Sequence, residues 1–183
     1  LNDSFNNLQK VISDKGLILE IETITTKIIK AFKDGNKLLL CGNGGSASDA
    51  QHIAAELSGR FIKERKPLYA EALHVNSSYM TAVSNDYGFE STYSRMLEAI
   101  GKKGDVLIAL STSGNSENVV NAVKMANSLE MLSVGMSGAT GGKIKELCQH
   151  NIIIPSSNTA RIQEAHIIVG HIFCQIIEEK LFE

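Results

Sequence analysis

Tryptophan is absent from this 183-residue sequence, proline occurs twice and cysteine three times. Scarce proline beside 15 glycines, several of them clustered, excludes collagen, a proline-rich linker and low-complexity disorder, and it indicates tight turns between regular elements. Hydrophobic residues make up 43% and charged residues 21% of the chain, as in globular proteins. No apolar run approaches the roughly 18 residues of a spanning helix, so we expect one soluble domain with no membrane partner.

An excess of charge of one sign is also missing, because 18 Lys and Arg residues stand against 20 Asp and Glu residues. Nucleic-acid binding usually needs a strong basic field, so we expect no nucleic-acid partner and a locally held anionic ligand, if any. The cysteines, Cys41, Cys148 and Cys174, form no CxxC pair and fit a reducing compartment better than a disulfide framework. The polar start LNDSFNNLQK lacks the apolar segment of a secretory signal, which favours a cytoplasmic location.

The spacing of apolar residues predicts alternating strands and helices. Residues 17–33 repeat apolar side chains at helical spacing, and the stretch 4–12 before them is also predicted to be helical. The predicted strands are 37–41, 68–75, 106–111, 132–136 and 152–154. The predicted helices that follow them are 46–58, 77–83, 90–99, 116–127, 143–148 and 159–180. Short apolar strands separated by helices predict a doubly wound, three-layer α/β sandwich with a five-stranded parallel sheet, behind a helical N-terminal extension.

In such folds ligands bind beyond the carboxyl ends of the strands, and the loop after the first strand is unusual. It reads CGNGGSASDAQHIAAEL, in which Asn43, Gly44 and Gly45 lead into a helix with Ser46 as the expected N-cap. Glycines let backbone N–H groups approach a ligand, and a helix N-terminus favours negative charge. The spacing fits neither the Walker A nor the GxGxxG pattern, and an ordinary turn is the alternative.

The loop after the third predicted strand, residues 111–116, reads STSGNS and is rich in hydroxyl groups. These hydroxyls belong to Ser111, Thr112, Ser113 and Ser116. With the flexible Gly114 and the N–H groups of the helix start, they form a neutral cradle suited to a phosphate monoester. A Ser/Thr-rich helix cap is the alternative, although four hydroxyls exceed what one cap uses. The later glycines, Gly138, Gly141 and Gly142, are expected to be ordinary loop residues.

Two helices carry candidate metal ligands or acid and base groups. His52 and Glu56 are four residues apart and share a helical face, which lets both ligate a metal or face a substrate. On the last helix, Gln163 and His171 lie about 12 Å apart along the axis and about 80° around it. They could share a small ligand only with extended side chains, so contributions from two subunits are an open possibility. Solvated contacts or packing residues are the alternative for each.

Four segments, in the order CGNGGSASDAQHIAAEL, SNDYGFE, STSGNS and ARIQEAHIIVGHIFCQIIE, resemble the bacterial phosphoheptose isomerases of the sugar isomerase (SIS) superfamily. The likeness runs from about residue 37 to the C-terminus. It implies one SIS domain over residues 1–183, with residues 1–35 used in oligomerisation, and a homotetramer with active sites at subunit interfaces. The implied reaction interconverts sedoheptulose 7-phosphate and D-glycero-D-manno-heptose 7-phosphate, the first step of heptose biosynthesis for lipopolysaccharide or capsule.

The resemblance also assigns roles to the residues of these motifs. The sugar-site residues it implies are Asn43, Gly44, Gly45, Ser46, Glu56, Asn85, Asp86 and Gln163. The implied phosphate ligands are Ser111, Thr112, Ser113 and Ser116. The implied ligands of one zinc ion per subunit are His52, Glu56, Gln163 and His171. Isomerisation needs a base for the proton next to the carbonyl and an acid for the oxygens, and these roles fall to Glu56 and His171.

The sequence departs from the family pattern in two places. In the stretch HVNSSYMTAVSND, His74, Asn76 and Ser77 replace the polar trio expected there. Before Asn158 the sequence reads SSN instead of an acidic variant, which removes a charge near the last helix. Neither change affects the implied acid and base.

One alternative is a non-catalytic SIS-domain protein that binds a replication initiator, since such a relative shares the fold and the glycine loop. The joint presence of Glu56, Gln163 and His171 favours the enzyme. Arabinose 5-phosphate isomerases and sugar-phosphate sensors form a second alternative. The isomerases usually carry extra regulatory modules, for which we expect no room in this chain. The sensors usually carry a helical DNA-binding domain, which the short N-terminal segment does not resemble.

Overall fold

The apolar runs form one mixed helix and strand architecture in a computed structural model that describes residues 1–182. The strands are β1 (Leu38–Gly42), β2 (Ala70–Ala72), β3 (Val106–Leu110), β4 (Leu132–Gly138) and β5 (His150–Ile154). The helices are α1 (Asn2–Ser13), α2 (Lys15–Lys33), α3 (Gly45–Ser58), α4 (Ser77–Tyr87), α5 (Thr92–Ile100), α6 (Glu117–Ser128), α7 (Gly142–Leu147) and α8 (Thr159–Leu181). A short 3-10 helix, Phe89–Ser91, precedes α5.

All five strands are parallel and lie in the order β2-β1-β3-β4-β5, which confirms the predicted sheet. The chain first builds outward from β1 to β2 and then returns to place β3 on the other side of β1. Gly42 at the end of β1 pairs with Leu110 at the end of β3. The glycine loop and the hydroxyl-rich loop therefore leave the sheet side by side, at the topological switch point where doubly wound folds bind ligands.

Both faces of the sheet are covered, which explains why the strands are apolar throughout. Leu38 and Leu40 of β1 pack on the face covered by α1, α2, α3 and α8, whereas Leu39 and Cys41 pack on the face of α5, α6 and α7. All four side chains are at most 1% exposed. Burying a leucine side chain contributes about 2 kcal/mol to folding, so this alternation helps to hold the three layers together.

Most predicted element ends agree with the structure to within two residues, and two do not. The strand predicted over 68–75 is only Ala70–Ala72, because β2 pairs with β1 alone and the chain turns away after its third paired residue. The helix predicted over 77–83 continues to Tyr87 and ends at Gly88, where φ is +84°. Within the described residues, no helix is long and apolar enough to cross a membrane.

Helices α3 and α8 cross at short range on one face of the sheet. A Cβ atom added to Gly170 of α8 would lie 2.5 Å from Cδ1 of Ile53 on α3, so only glycine permits this approach. Ile53 is next to His52, and Gly170 is next to His171. The close crossing therefore brings the chemically active side chains of the two helices together.

Candidate active site

The crossing of α3 and α8 assembles three of the predicted site residues within one chain. Nε2 of His52 lies 3.1 Å from Oε1 of Glu56 on the same helix. His171 of α8 joins them, so that one donor atom from each side chain lies within 4.8 Å of the others. The two imidazole rings meet edge to face with centroids 5.0 Å apart. This group, called the His–Glu–His cluster below, can hold a metal ion or serve as an acid and base pair.

Gln163, the fourth predicted metal ligand, lies elsewhere in the same chain. Its amide packs against the first residue of α3, where a Cβ atom on Gly45 would be 2.6 Å from Gln163 Nε2. Gly45 precedes His52 by seven residues, about 10 Å along the helix axis. The amide of Gln163 therefore faces the glycine loop of its own chain instead of the cluster.

Two residues beside the cluster were missed by sequence reasoning. Phe61 stacks on the His171 ring at a centroid distance of 5.7 Å and an interplanar angle of 27°. It comes from an irregular loop, where no periodicity could have indicated it.

Asp49 is half-buried, and its Oδ2 has no hydrogen-bond partner among the described residues. Burial raises the pKa of Asp49, and the nearby His52 acts in the opposite direction. Its spacing to His52 and Glu56 is that of one helical face, a signal that was available.

The glycine loop, residues 42–45, ends in an open helix N-terminus. Helix α3 begins at Gly45 with Gly44 as N-cap, and no side chain caps it. The expectation that Ser46 is the N-cap is wrong, because Gly44 takes φ +56° and turns the chain one residue earlier. Ser46 lies buried in the first turn, and its backbone N–H donates to the Asn43 carbonyl at 3.0 Å. The next two backbone N–H groups, of Ala47 and Ser48, donate to the Gly44 carbonyl at 3.0 and 3.1 Å. The N–H of Gly45, which has no such partner within residues 1–182, can bind an anion or a sugar oxygen.

Asn43 fixes this loop through its side-chain amide. It exchanges two hydrogen bonds with the amide of Asn118 on α6, at 2.8 and 2.9 Å. The Tyr93 hydroxyl donates to the Gly42 carbonyl at 2.5 Å and to Asn43 Oδ1 at 3.3 Å. Asn118 and Tyr93 were missed because their contacts are long-range. Together they bind the end of β1 to the helices behind it and hold the loop in one shape.

The hydroxyl loop, residues 111–116, leaves the N-terminus of α6 open as well. Ser116 is the N-cap residue, but its side chain does not cap the helix; its Oγ instead lies 3.1 Å from Ser111 Oγ. Ser113 Oγ accepts a hydrogen bond from the Asn115 backbone N–H at 3.1 Å. The simple cap interpretation therefore does not describe this loop, and the hydroxyls are arranged around an uncapped helix start.

A recess of about 160 Å³ lies between the hydroxyl loop and the start of α8. The hydroxyl-bearing residues that line it are Thr112, Ser113, Thr140, Ser157 and Thr159. A neutral, hydroxyl-rich recess of this kind binds a polar ligand through short hydrogen bonds. The residues after β4 and before α8 thus extend the polar surface that begins at the hydroxyl loop.

Glycines of the loop after β4 support the hydroxyl loop from behind. Gly114 has φ +66°, and a Cβ atom there would overlap the carbonyl of Gly141. A Cβ atom on Gly142 would overlap the carbonyl of Ser113. The expectation that Gly142 is an ordinary loop glycine is therefore wrong, since Gly114 and Gly142 allow the two loops to pack together. A Cβ atom on Gly141 would instead lie 2.8 Å from Cβ of Lys145.

Asn85 and Asp86 lie on the exposed last turn of α4, where Asn85 Nδ2 donates to Asp86 Oδ1 at 2.8 Å. Of the residues that depart from the family pattern, Asn76 caps α4 by accepting from the Tyr79 backbone N–H at 3.0 Å. His74 is half-buried, and burial lowers its pKa. In residues 1–182 its Nδ1 finds no hydrogen-bond partner. The substitutions thus rebuild the start of α4 without entering the His–Glu–His cluster.

Comparison with known proteins agrees with this geometry. A family model described as "SIS domain" matches residues 2–138. Phosphoheptose isomerase 2 of Campylobacter jejuni is 49% identical over 180 residues, which cover 98% of this chain and 90% of that protein. The solved structure of phosphoheptose isomerase GmhA from Neisseria gonorrhoeae superposes with a TM-score of 0.92 at 38% identity, over 97% of this chain and 94% of the other. A phosphoheptose isomerase from Francisella tularensis gives a TM-score of 0.93 at 34% identity with the same coverage.

Proposed function

The chain belongs to the phosphoheptose isomerase family of SIS-domain proteins, and on this premise we propose that it interconverts sedoheptulose 7-phosphate and D-glycero-D-manno-heptose 7-phosphate. The observation that carries the proposal is the meeting of Glu56 and His171 in one chain, at the crossing of α3 and α8. A carboxylate beside an imidazole supplies the base and the acid that an aldose–ketose isomerisation needs.

The reaction moves one proton between adjacent carbons and needs no redox cofactor. Glu56 removes a proton from C1 of the ketose, while His171 donates a proton to the carbonyl oxygen on C2. The enediol that results loses the proton of its O1 hydroxyl and takes a proton at C2, which gives the aldose. Atoms and electrons balance, because each proton removed from one position is returned at another.

The phosphate of the substrate is proposed to bind at the hydroxyl loop, through Ser111, Thr112, Ser113 and Ser116. Two uncapped helix N-termini, those of α3 and α6, point to the same switch region of the sheet and support this placement. The sugar is proposed to lie between this loop and the cluster. The residues proposed to contact it are Asn43, Gly44, Gly45, Ser46, Asn85, Asp86 and Gln163.

We propose one zinc ion per subunit at the His–Glu–His cluster. Zinc is bound by imidazole nitrogens and carboxylate oxygens, and two donor atoms of a tetrahedral site lie about 3.3 Å apart. The 3.1 Å between Nε2 of His52 and Oε1 of Glu56 is close to that separation. When bound, the ion would supply Lewis-acid stabilisation of negative charge on the sugar oxygens. Gln163 faces the glycine loop of its own chain, so as a ligand it would have to come from a neighbouring subunit.

We propose a homotetramer with active sites at subunit interfaces, because Gln163 could join the cluster only from a neighbouring subunit. Exposed apolar side chains on the N-terminal helices support it, among them Phe5 and Ile12 on α1 and Leu19 on α2. Apolar surface of this kind marks an interaction site, which supports the proposal that residues 1–35 of a single SIS domain serve oligomerisation. We further propose a cytoplasmic location and a role in heptose supply for lipopolysaccharide or capsule.

The proposed function is tested by following purified protein with sedoheptulose 7-phosphate and Zn²⁺ by NMR. The expected result is a new aldose C1 signal that grows to an equilibrium ratio. A correctly folded protein that forms no aldose would contradict the proposal. It would favour the non-catalytic SIS-domain alternative instead.

A further inference from the structure

A buried ion pair lies directly behind the His–Glu–His cluster. Nε of Arg65 is 3.0 Å from Oε2 of Glu178, and the two side chains are only 2% and 3% exposed. Burying two charges costs more than their attraction returns unless the remaining donors and acceptors are also satisfied. The other hydrogen bonds of Arg65 and Glu178 therefore show which segments of the chain this pair connects.

Glu178 organises the loop that contains Phe61. Its carboxylate accepts from the backbone N–H groups of Phe61, Ile62 and Lys63, at 3.3, 2.9 and 2.6 Å. Burial alone would raise the pKa of Glu178, but these hydrogen bonds and the one from Arg65 outweigh burial and lower it. Glu178 stands two helical turns after His171 on α8, so this loop is attached to the helix that carries His171.

Arg65 attaches the other helix of the cluster. Its guanidinium donates to the carbonyls of Glu56, Leu57 and Gly59, at 2.8, 2.8 and 3.1 Å. These are carbonyl groups at the C-terminal end of α3, which have no partners within the helix. Through Arg65 the turn that carries Glu56 is joined to Glu178, and thereby to α8.

The hydrogen bonds of Glu178 and Arg65 together place Phe61 beside His171. With its backbone N–H held by Glu178, the Phe61 ring stacks on the imidazole of His171 at an interplanar angle of 27°. The His171 ring thus packs against two other rings, those of Phe61 and His52. Such packing restricts the ring orientation of a residue that must transfer a proton.

We propose that Arg65 and Glu178 are positioning residues for the isomerisation, which hold α3 and the 59–66 loop against α8 so that Phe61 orients His171 beside Glu56. The inference rests on the proposed function, because the cluster is the site that it positions. Neither residue touches the substrate or the reacting atoms. A pair that merely stabilised the fold would leave the turnover and the metal affinity of a folded variant unchanged.

The first test replaces the ring that the pair positions. Phe61→Leu removes the aromatic ring that stacks on His171, and Phe61→Tyr keeps it as the conservative rescue. In Phe61→Leu we expect kcat to fall about tenfold, with KM within about twofold, because misoriented catalytic groups slow the chemical step more than binding. Phe61→Tyr is expected to restore kcat. Equal kcat in Phe61→Leu and the unchanged protein, both folded by circular dichroism, would overturn the inference.

The second test acts on the pair itself, with Glu178→Gln compared with the control Glu64→Gln. Glu64 belongs to the same loop, but its ion pair with Arg60 is 3.9 Å long and its side chain is 93% exposed. In Glu178→Gln the amides of Phe61, Ile62 and Lys63 are expected to exchange hydrogen faster. The affinity of the metal-free protein for Zn²⁺ is expected to fall about tenfold, as for other residues that orient metal ligands.

The two readouts separate this inference from the proposed function. If the unchanged protein has no isomerase activity, the proposed function fails, while hydrogen exchange and Zn²⁺ titration still test the positioning role. Faster exchange in Glu178→Gln together with weaker Zn²⁺ binding supports it. Exchange and Zn²⁺ affinity equal to those of Glu64→Gln would overturn it. Should Glu178→Gln not fold, the Phe61 variants decide.

Discussion

The hydroxyl loop and the His–Glu–His cluster are proposed to serve one active site, and they are built in opposite ways. The loop consists of six consecutive residues without a charged side chain, set around an uncapped helix start. The cluster joins two helices that are distant in sequence, and it contains a carboxylate and two imidazoles. Many neutral donors suit the binding of an anion, whereas a few groups that can gain or lose protons suit chemistry. We therefore expect substitutions in the loop to change mainly KM and substitutions in the cluster to change mainly kcat.

The largest effect is expected from removing the base of the cluster. Glu56→Gln should lower kcat by at least about 10³-fold, because an amide cannot accept the proton from C1. His171→Ala should act in the same direction through loss of the acid. Steady-state kinetics with sedoheptulose 7-phosphate measures both, and light scattering checks that the oligomer is unchanged. A Glu56→Gln protein with a normal kcat and a raised KM would reverse the assignment of the two regions.

We expect acid to destabilise the protein through α8, the helix that carries His171. The hydroxyl loop has no titratable side chain and should not respond to pH. His166 of α8 is fully buried, with Nε2 3.2 Å from the Ser137 carbonyl oxygen. Burial lowers its pKa from 6.5 to about 4, although the bond to Ser137 acts in the opposite direction. Between these values the unfolded chain binds a proton that the folded chain does not. The free energy of unfolding should therefore fall by about 3 kcal/mol as pH falls through this window.

Urea unfolding at the two ends of this pH range measures that loss. His166→Gln, which places an amide nitrogen near the same carbonyl, serves as the comparison because it cannot titrate. We expect its unfolding free energy to depend less on pH than that of the unchanged protein. Identical pH dependence in the two proteins would show that His166 is not the group responsible.

A smaller effect is expected at the hydroxyl loop. The double substitution Ser111→Ala and Ser113→Ala removes two donors to the phosphate and should raise KM about thirtyfold, or about 2 kcal/mol, with little change in kcat. Ser128→Ala is the matched control, since Ser128 is an exposed serine at the far end of α6. The KM for sedoheptulose without phosphate should not respond. An unchanged KM for sedoheptulose 7-phosphate would remove the loop from substrate binding.

The two regions also differ in how far they could be predicted from the sequence. The parallel sheet and the hydroxyl loop follow from local patterns, namely apolar runs and consecutive hydroxyl residues. The N-cap at Ser46 was wrong because a positive φ at Gly44 starts α3 earlier than side-chain chemistry suggests. The pairing of α3 with α8 depends on the contact of Gly170 with Ile53, which no periodicity reveals.

Long-range contacts account for what the sequence did not show. Phe61, Asn118 and Tyr93 act through partners on other elements, and each is an ordinary residue in its own segment. The buried Arg65 and Glu178 lie in charged stretches of the sequence, KERK and EEK, where nothing local distinguishes them from exposed residues. Only the packed chain shows that their hydrogen bonds converge on the loop beside His171.

The most direct test of the account is isomerisation of sedoheptulose 7-phosphate by the unchanged protein in D₂O with Zn²⁺, followed by NMR. Proton transfer through an enediol predicts that D-glycero-D-manno-heptose 7-phosphate forms, and that deuterium enters at C2 to the extent that the proton held by Glu56 exchanges with D₂O before it is returned. Absence of this product from a correctly folded protein would contradict the account.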